Sequence, residues 1–298
     1  MARDFNRVER PCHADNMAEL NGRPVDLEEL QTLALTNYGH FTSFRVDDGR
    51  VRGWSLHLDR LARDCRTLFG VDLDLEKVRE LVRRAVPAHG SITIRVTVFD
   101  PATDLGHPGM ARDPQVLITR RAAASIPLPA LRVQSAFYVR DAPEVKSVGL
   151  FGSLRRRRIA QTDGFDDALF VDGRHRVLEG GTWNVGFFDG DRVIWPEADQ
   201  LVGVTLRLLQ GVQDHLIAPV ALSDLSSMKA AFATNAVIGL RPIAMIDDVA
   251  FSVDHPIIDT LRNEYATLVG DLVKAGAVDW NWRGKVGMKR GDGRALDG

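Results

Sequence analysis

The sequence predicts a mixed α/β chain of the α+β class in two domains, a small N-terminal α/β domain over residues 1–122 and a larger β-rich domain over residues 130–298. Three observations carry that prediction. Before residue 120, two segments with helical apolar periodicity lie among stretches of strand composition. After residue 130, short apolar runs follow one another, punctuated by Asp-Gly pairs, as expected of many strands in succession. Between these regions "RAAASIPLPA" is small, Pro-containing and aperiodic, which places an interdomain linker at 123–129.

"HFTSFRVDDGRVRGW" reads as two β-segments around Asp48-Gly49, a pair favoured in tight hairpin turns. "SLHLDRLARDCRTLFG" follows as a helix, with Leu58, Leu61, Cys65 and Leu68 on one face and Gly70 as its stop. "LEKVRELVRRAV" is a second helix ended by Pro87, and "SITIRVTVF" is a strand. Beyond the linker, strands are expected at "LRVQSAFYV", "DALFVD", "HRVLEG", "NVGFFDG", "DRVIWP", "AAFATNAV" and "IAMID". Helices are expected at "LRRRRIAQ", at "GVTLRLLQGVQDHL" and from about Pro256 to Ala275, with a frayed tail after them.

Composition narrows the function. Lys and Arg total 38 against 40 Asp and Glu, so the chain lacks the basic excess of a general polyanion binder. Cys12 and Cys65 are too few for a disulfide framework or a cysteine-rich metal site, and no other metal-ligand spacing appears. The first twenty residues alternate charges instead of forming an apolar run, and no segment reaches membrane-spanning length, so a cytoplasmic enzyme without membrane or nucleic-acid partners is expected.

The basic block Arg155 to Arg158 is the loudest local feature. Neighbouring residues on a helix point about 100° apart, so these arginines cannot make one stripe. They read as a solvated helix face with one or two guanidiniums in ion pairs, Asp163, Asp166 and Asp167 being available as partners. His57 and His107 read as structural. Lys146 stands differently, in a turn where "FYVRDAPEV" runs out of strand.

Four segments give Lys146 a context: "FTSFRVDDGRV" with "HLDRL", the stretch from Lys146 through "GFDDALFVD", then "VLEGGTWNVGF", then "LVGVTLRLL". In that order and at those separations, over roughly residues 36 to 250, they resemble the pyridoxal-phosphate enzymes of fold type IV, which include branched-chain and D-amino-acid aminotransferases and aminodeoxychorismate lyases. The resemblance implies a β-barrel-like C-terminal domain, the cofactor held between the domains, and a homodimer with loops of both subunits near the pocket. It matches Lys146 to the Schiff-base lysine and Glu179 to the carboxylate beside the pyridine nitrogen. Arg60, Val204 and Thr205 match the phosphate contacts, a guanidinium fork and a helix start opened by Gly203. Asn235 and Ala236 fall where many members place a last phosphate hydroxyl; alignment puts that place on Ala236, a departure for which Thr234 and Asn235 are the candidate substitutes. Phe41, Ser43, Arg45 and Arg95 match substrate-pocket positions.

The implied reaction moves an amino group from an amino acid or amine donor to a keto acceptor. A lyase that releases pyruvate from aminodeoxychorismate is the alternative, since "FTSFRV" resembles the lyases about as well. Against it, the arginine-glycine pair that lyases and D-amino-acid enzymes carry shortly after the Arg95 position is replaced here by Val98 and Phe99. A polyanion-binding protein using Arg155 to Arg158 is the more distant alternative.

Overall fold

A computed structural model of the chain describes residues 18–87 and 89–273. The first region runs β1 (Ala18–Leu20), β2 (Arg23–Pro24), α1 (Leu27–Thr36), β3 (His40–Asp47), β4 (Arg50–Val51), α2 (Trp54–Phe69), α3 (Leu75–Ala85), β5 (Ser91–Phe99) and β6 (Gln115–Ala122). The second runs β7 (Leu131–Phe137), α4 (Phe151–Thr162), β8 (Asp167–Val171), β9 (Val177–Gly180), β10 (Asn184–Phe188), β11 (Val193–Pro196), α5 (Val204–Gln210) and β12 (His215–Ala218). It closes with β13 (Ala230–Asn235), β14 (Gly239–Ile246), β15 (Val249–Ala250), α6 (Pro256–Thr267) and β16 (Asp271–Leu272).

These strands form two sheets. One has seven strands in the order β16-β4-β3-β5-β6-β1-β2; the other has nine, β12-β11-β10-β13-β14-β7-β8-β9 with β15 on β14. The second sheet curls into a half-barrel, so the predicted mixed α+β class holds.

In the first sheet, strand alternation separates two chemistries. Phe44, Val46, Ile94, Val96, Val98, Val116 and Ile118 point into a core shared with α2 and α3. The opposite face, through the rungs Phe41↔Thr97, Ser43↔Arg95 and Arg45↔Thr93, is largely polar. Helix α2 starts and stops at glycines in the left-handed region, Gly53 and Gly70, as the sequence anticipates at its C-terminal end. Its buried face includes the predicted Leu58, Leu61 and Cys65, but also His57, Arg60 and Asp64. Polar residues on an apolar helix face have to be satisfied by something. Here they point to a site.

Three expectations change. The helix expected through "GVTLRLLQGVQDHL" ends at Gln210, because Gly211 caps it, and His215–Ala218 pairs as a parallel strand with β11. The helix expected to reach Ala275 ends at Thr267, and Asp271–Leu272 returns as an antiparallel strand on β4. Helix α1, closed by a capping box between Asp26 and Glu29, was not anticipated. The frayed tail expected after the last helix, and Cys12, lie outside the described residues.

Candidate active site

A cleft of about 580 Å³ is lined by residues from both sheets, among them Phe41, Ser43, Arg60, Arg95, Lys146, Glu179, Gly203, Val204, Asn235 and Ala236. Residues up to 195 positions apart in the sequence thus share one cavity, Phe41 and Ala236 being the extremes of that group.

Lys146 is held by its backbone. Its N–H donates to Asp64 Oδ2 at 3.0 Å, and its carbonyl accepts from Phe41 N at 2.9 Å. Asp64 is fully buried and takes Arg63 on its other oxygen at 2.7 Å, so α2 anchors the lysine turn. The ammonium lies 4.9 Å from the centroid of the Phe41 ring. Crowding by protein atoms lowers the Lys146 pKa to about 7, Arg60 pushing the same way and Glu179 opposing. A useful fraction of the amine is therefore neutral near pH 7, as nucleophilic attack requires.

Glu179, at the end of β9, accepts from Arg140 Nε at 2.7 Å. Arg140 also donates to the Val145 carbonyl at 2.9 Å and to the Pro143 carbonyl, tying the lysine turn to the glutamate. Burial pushes the Glu179 carboxyl up from the ordinary range, while Arg140, and more weakly Lys146, pull it back. Sequence reasoning missed Arg140 and Asp64. The available signals were an arginine six residues before the lysine and an acid one helical turn after Arg60.

Arg60 is 6% exposed. Its Nη2 donates to Thr42 Oγ1 and faces His57 Nδ1 at 3.3 Å, and Thr42 Oγ1 lies 2.7 Å from the same ring nitrogen. His57 Nδ1 thus accepts, which leaves its proton on Nε2. Burial, with Arg60 and Lys146 nearby, keeps this imidazole neutral. His57 is structural, as the sequence suggests; it orients Arg60. Burial lowers the Arg60 guanidinium only to about 10, so it stays charged. Its Nε is buried without a partner among the described residues.

The start of α5 forms the adjoining wall. Gly203 N donates to Asn184 Oδ1 at 3.0 Å, and a Cβ added at Gly203 would lie 2.2 Å from that oxygen, so only glycine permits this approach. Val204 lines the cleft with Gly203, whereas Thr205 is buried one residue further in. Asn235 spends its Oδ1 on Val237 N and Ile238 N, both at 3.0 Å, which fixes the turn carrying Ala236. Thr234 supplies what Ala236 lacks: a cleft-lining, buried hydroxyl with no partner among the described residues. An unpartnered guanidinium nitrogen, an unpartnered hydroxyl and a glycine-opened helix start form a donor set suited to a phosphate.

The substrate-side residues divide. Phe41, Ser43 and Arg95 line the cleft, and Arg95 packs its guanidinium 3.6 Å from the centroid of Phe41. Arg45 does not line it. It lies two residues further along β3, beyond the 236–238 turn, where it donates to Asp47 Oδ1 and to the Ala124 carbonyl, both at 2.7 Å. It faces a second cavity of about 320 Å³ instead. In the basic block, Arg157 pairs with buried Asp167 at 2.8 Å while Arg155 and Arg158 are exposed, in agreement with the ion-paired helix face. Among the described residues no cluster of His, Cys, Asp or Glu could hold a metal, and no helix is long and apolar enough to cross a membrane.

Comparison with known proteins agrees with this geometry. The family model for amino-transferase class IV matches residues 39–246. A probable branched-chain-amino-acid aminotransferase of Rickettsia bellii is 26% identical over 282 residues, covering 84% of this chain and 95% of its own length. Among solved structures, a branched-chain aminotransferase from Thermoproteus uzoniensis, with norvaline, superposes at a TM-score of 0.74 with 20% identity, covering 84% of this chain and 94% of the other. A T.th. branched-chain aminotransferase, complexed with N-(5'-phosphopyridoxyl)-L-glutamate, gives 0.72 with 20% identity, covering 84% and 92%. The family match spans Lys146, Glu179 and the start of α5, so the chain belongs to the class IV aminotransferases, enzymes that use pyridoxal phosphate to move amino groups.

Proposed function

We propose that Lys146 is the catalytic amine, that Glu179 is the carboxylate facing the cofactor's pyridine nitrogen, and that Arg60, Val204, Thr205 and Thr234 hold its phosphate. The observation carrying this reading is one cleft in which an amine with a pKa near 7 stands between a buried glutamate and a guanidinium with an open donor. When bound, pyridoxal phosphate supplies an electrophilic carbonyl and an electron-withdrawing ring. Lys146 takes the proton from the substrate α-carbon and returns it to the carbon that receives the amino group. Glu179 keeps the ring nitrogen protonated, and Arg140 keeps Glu179 in place.

A test of this assignment is borohydride treatment of the cofactor-loaded protein followed by peptide mapping. Covalent attachment at Lys146 is expected; attachment at another lysine would refute the assignment. An amino donor supplied without acceptor should release one equivalent of keto product per site, and a keto acid should restore the starting absorption.

Two further predictions concern binding. Arg60→Ala should weaken cofactor binding by about 1.5–3 kcal/mol, the worth of a hydrogen bond to a charged group, or roughly 10- to 150-fold in Kd on titration of apo protein. Capture of pyridoxal phosphate by apo protein should speed up as pH rises through about 7 and then level off, since the neutral Lys146 amine is the reacting form. In Arg60→Ala that midpoint should move upward, because the Arg60 charge helps to hold the lysine pKa down.

The two-domain division at 123–129 is proposed on the stretch between β6 and β7, which carries neither helix nor strand and separates the strands of the two sheets in sequence, β16 alone returning to the first sheet. A homodimer is proposed on the family resemblance, supported by large apolar residues left in solvent on β7 and α4, Phe137, Phe151 and Leu154. Sedimentation at micromolar concentration tests it. A cytoplasmic location is proposed on composition.

A further inference from the structure

The polar face of the first sheet holds Arg95, matched above to the substrate pocket, and a second cation, Arg121, that the reading above leaves unused. Thr93 pairs directly with Arg121 across β5 and β6, and Arg95 pairs with Thr119. Arg95 and Arg121 are therefore diagonal neighbours on one face, about 7–8 Å apart at the backbone and within mutual reach of their side chains. Both line the cleft.

Among the described residues neither has a carboxylate partner. Arg95 donates only to Thr97 Oγ1, at 3.1 Å, and rests on the Phe41 ring. Elsewhere in the cleft Arg140 is neutralised by Glu179 and Arg157 by Asp167, and Arg60 is the guanidinium assigned above to the phosphate. Burial lowers the Arg95 pKa to about 10, and the neighbouring Arg121 charge pushes it the same way. Arg95 is half-buried and Arg121 is exposed at the cleft wall, and two like charges held side by side there favour an anion between them. A monocarboxylate substrate neutralises one of them. A branched aliphatic side chain on this wall would desolvate the other without compensation.

We propose that Arg121 acts with Arg95 as a specificity-determining pair that selects dicarboxylic substrates, amino acids and 2-oxo acids with a second carboxylate, over branched aliphatic ones. This rests on the transaminase reading of the cleft. It also departs from the branched-chain preference carried in the relatives' names. Sequence reasoning missed Arg121 because it lies beside the linker, at a strand end without a motif.

The test uses the cofactor-loaded enzyme and its apo form. Single-turnover amino transfer is measured with glutamate and aspartate against leucine and valine, in both enantiomers, for the parent protein, Arg121→Met and Arg121→Lys. Glutarate, an unreactive dicarboxylate, is titrated into the apo proteins by calorimetry. The parent should prefer the dicarboxylates. In Arg121→Met the glutamate-to-leucine selectivity and the glutarate affinity should each fall by about tenfold or more, mainly through KM and with unchanged thermal stability. Arg121→Lys, which keeps the charge without the planar fork, should recover part of both. A parent that prefers leucine, or an Arg121→Met protein with unaltered selectivity and glutarate affinity, would overturn the proposal while leaving transamination standing. Amino transfer from no donor at all would overturn the transaminase reading, and with it the proposal's role for Arg121, even if glutarate still bound.

Discussion

Lys146→Ala is expected to lower transamination by at least about 10⁴-fold, the upper range for a positioned proton-transfer group, with loss of the covalent attachment adding to it. Added small alkylamines should restore a minor part of the rate, since they can move the proton that Lys146 no longer moves. Retention of more than a hundredth of the parental turnover would show that another base does the work. The same residue makes a prediction about the apo protein. Folding lowers the lysine pKa from 10.5 to about 7, so below pH 7 the folded chain carries a desolvated ammonium. Lys146→Met removes that penalty and should melt at a higher temperature than the parent. Between about pH 7 and 10.5 the unfolded chain binds a proton that the folded chain does not, so parental stability rises with pH and the variant's lead should shrink across that window.

Glu179 is expected to show the second large effect. Glu179→Gln keeps an oxygen that can accept from Arg140 Nε but removes the charge, so turnover should fall on the order of 10²-fold or more with little change in melting temperature. Glu179→Ala removes the acceptor of the Arg140 hydrogen bond as well as the charge. Removing one partner of a buried pair costs about 3–5 kcal/mol, and Arg140, 16% exposed as a side chain, should realise the lower part of that range. Denaturant unfolding of the two apo variants separates the roles. Equal loss of stability in both would mean that the charge, not the hydrogen bond, holds the lysine turn to β9.

Much of the site was legible in the sequence because it lies in short segments with fixed internal spacing. Arg60 in "HLDRL", Lys146 at a strand end, Glu179 in "LEGG" and Gly203-Val204 at a helix start each carry local information. The residues that escaped do their work across the fold. Asp64 reads as an ordinary helix acid until α2 is placed against the lysine turn, where it meets the Lys146 amide. Arg140 gains its meaning from Glu179, 39 residues on. Arg45 shows the converse failure. The resemblance grouped it with Phe41 and Ser43, whose face of β3 it shares, but where the cleft ends is set by the turn at 236–238, far off in sequence. Helix ends were misjudged for a related reason. "QGVQDHL" keeps apolar residues that suit a helix, yet the open edge of β11 pairs His215–Ala218 instead.

The single turn of α2 that carries Arg60 and Asp64 limits how this region can tolerate change in length. Four residues apart, the two side chains leave the helix in nearly the same direction, one into the cleft and the other to the Lys146 amide. One residue inserted between Gly53 and Arg60 would rotate both by about 100° and carry them away together. Insertions after Gly70, in the loop before α3, would move neither. Length variation among functional descendants of this chain should therefore collect after α2 and be absent from its first half.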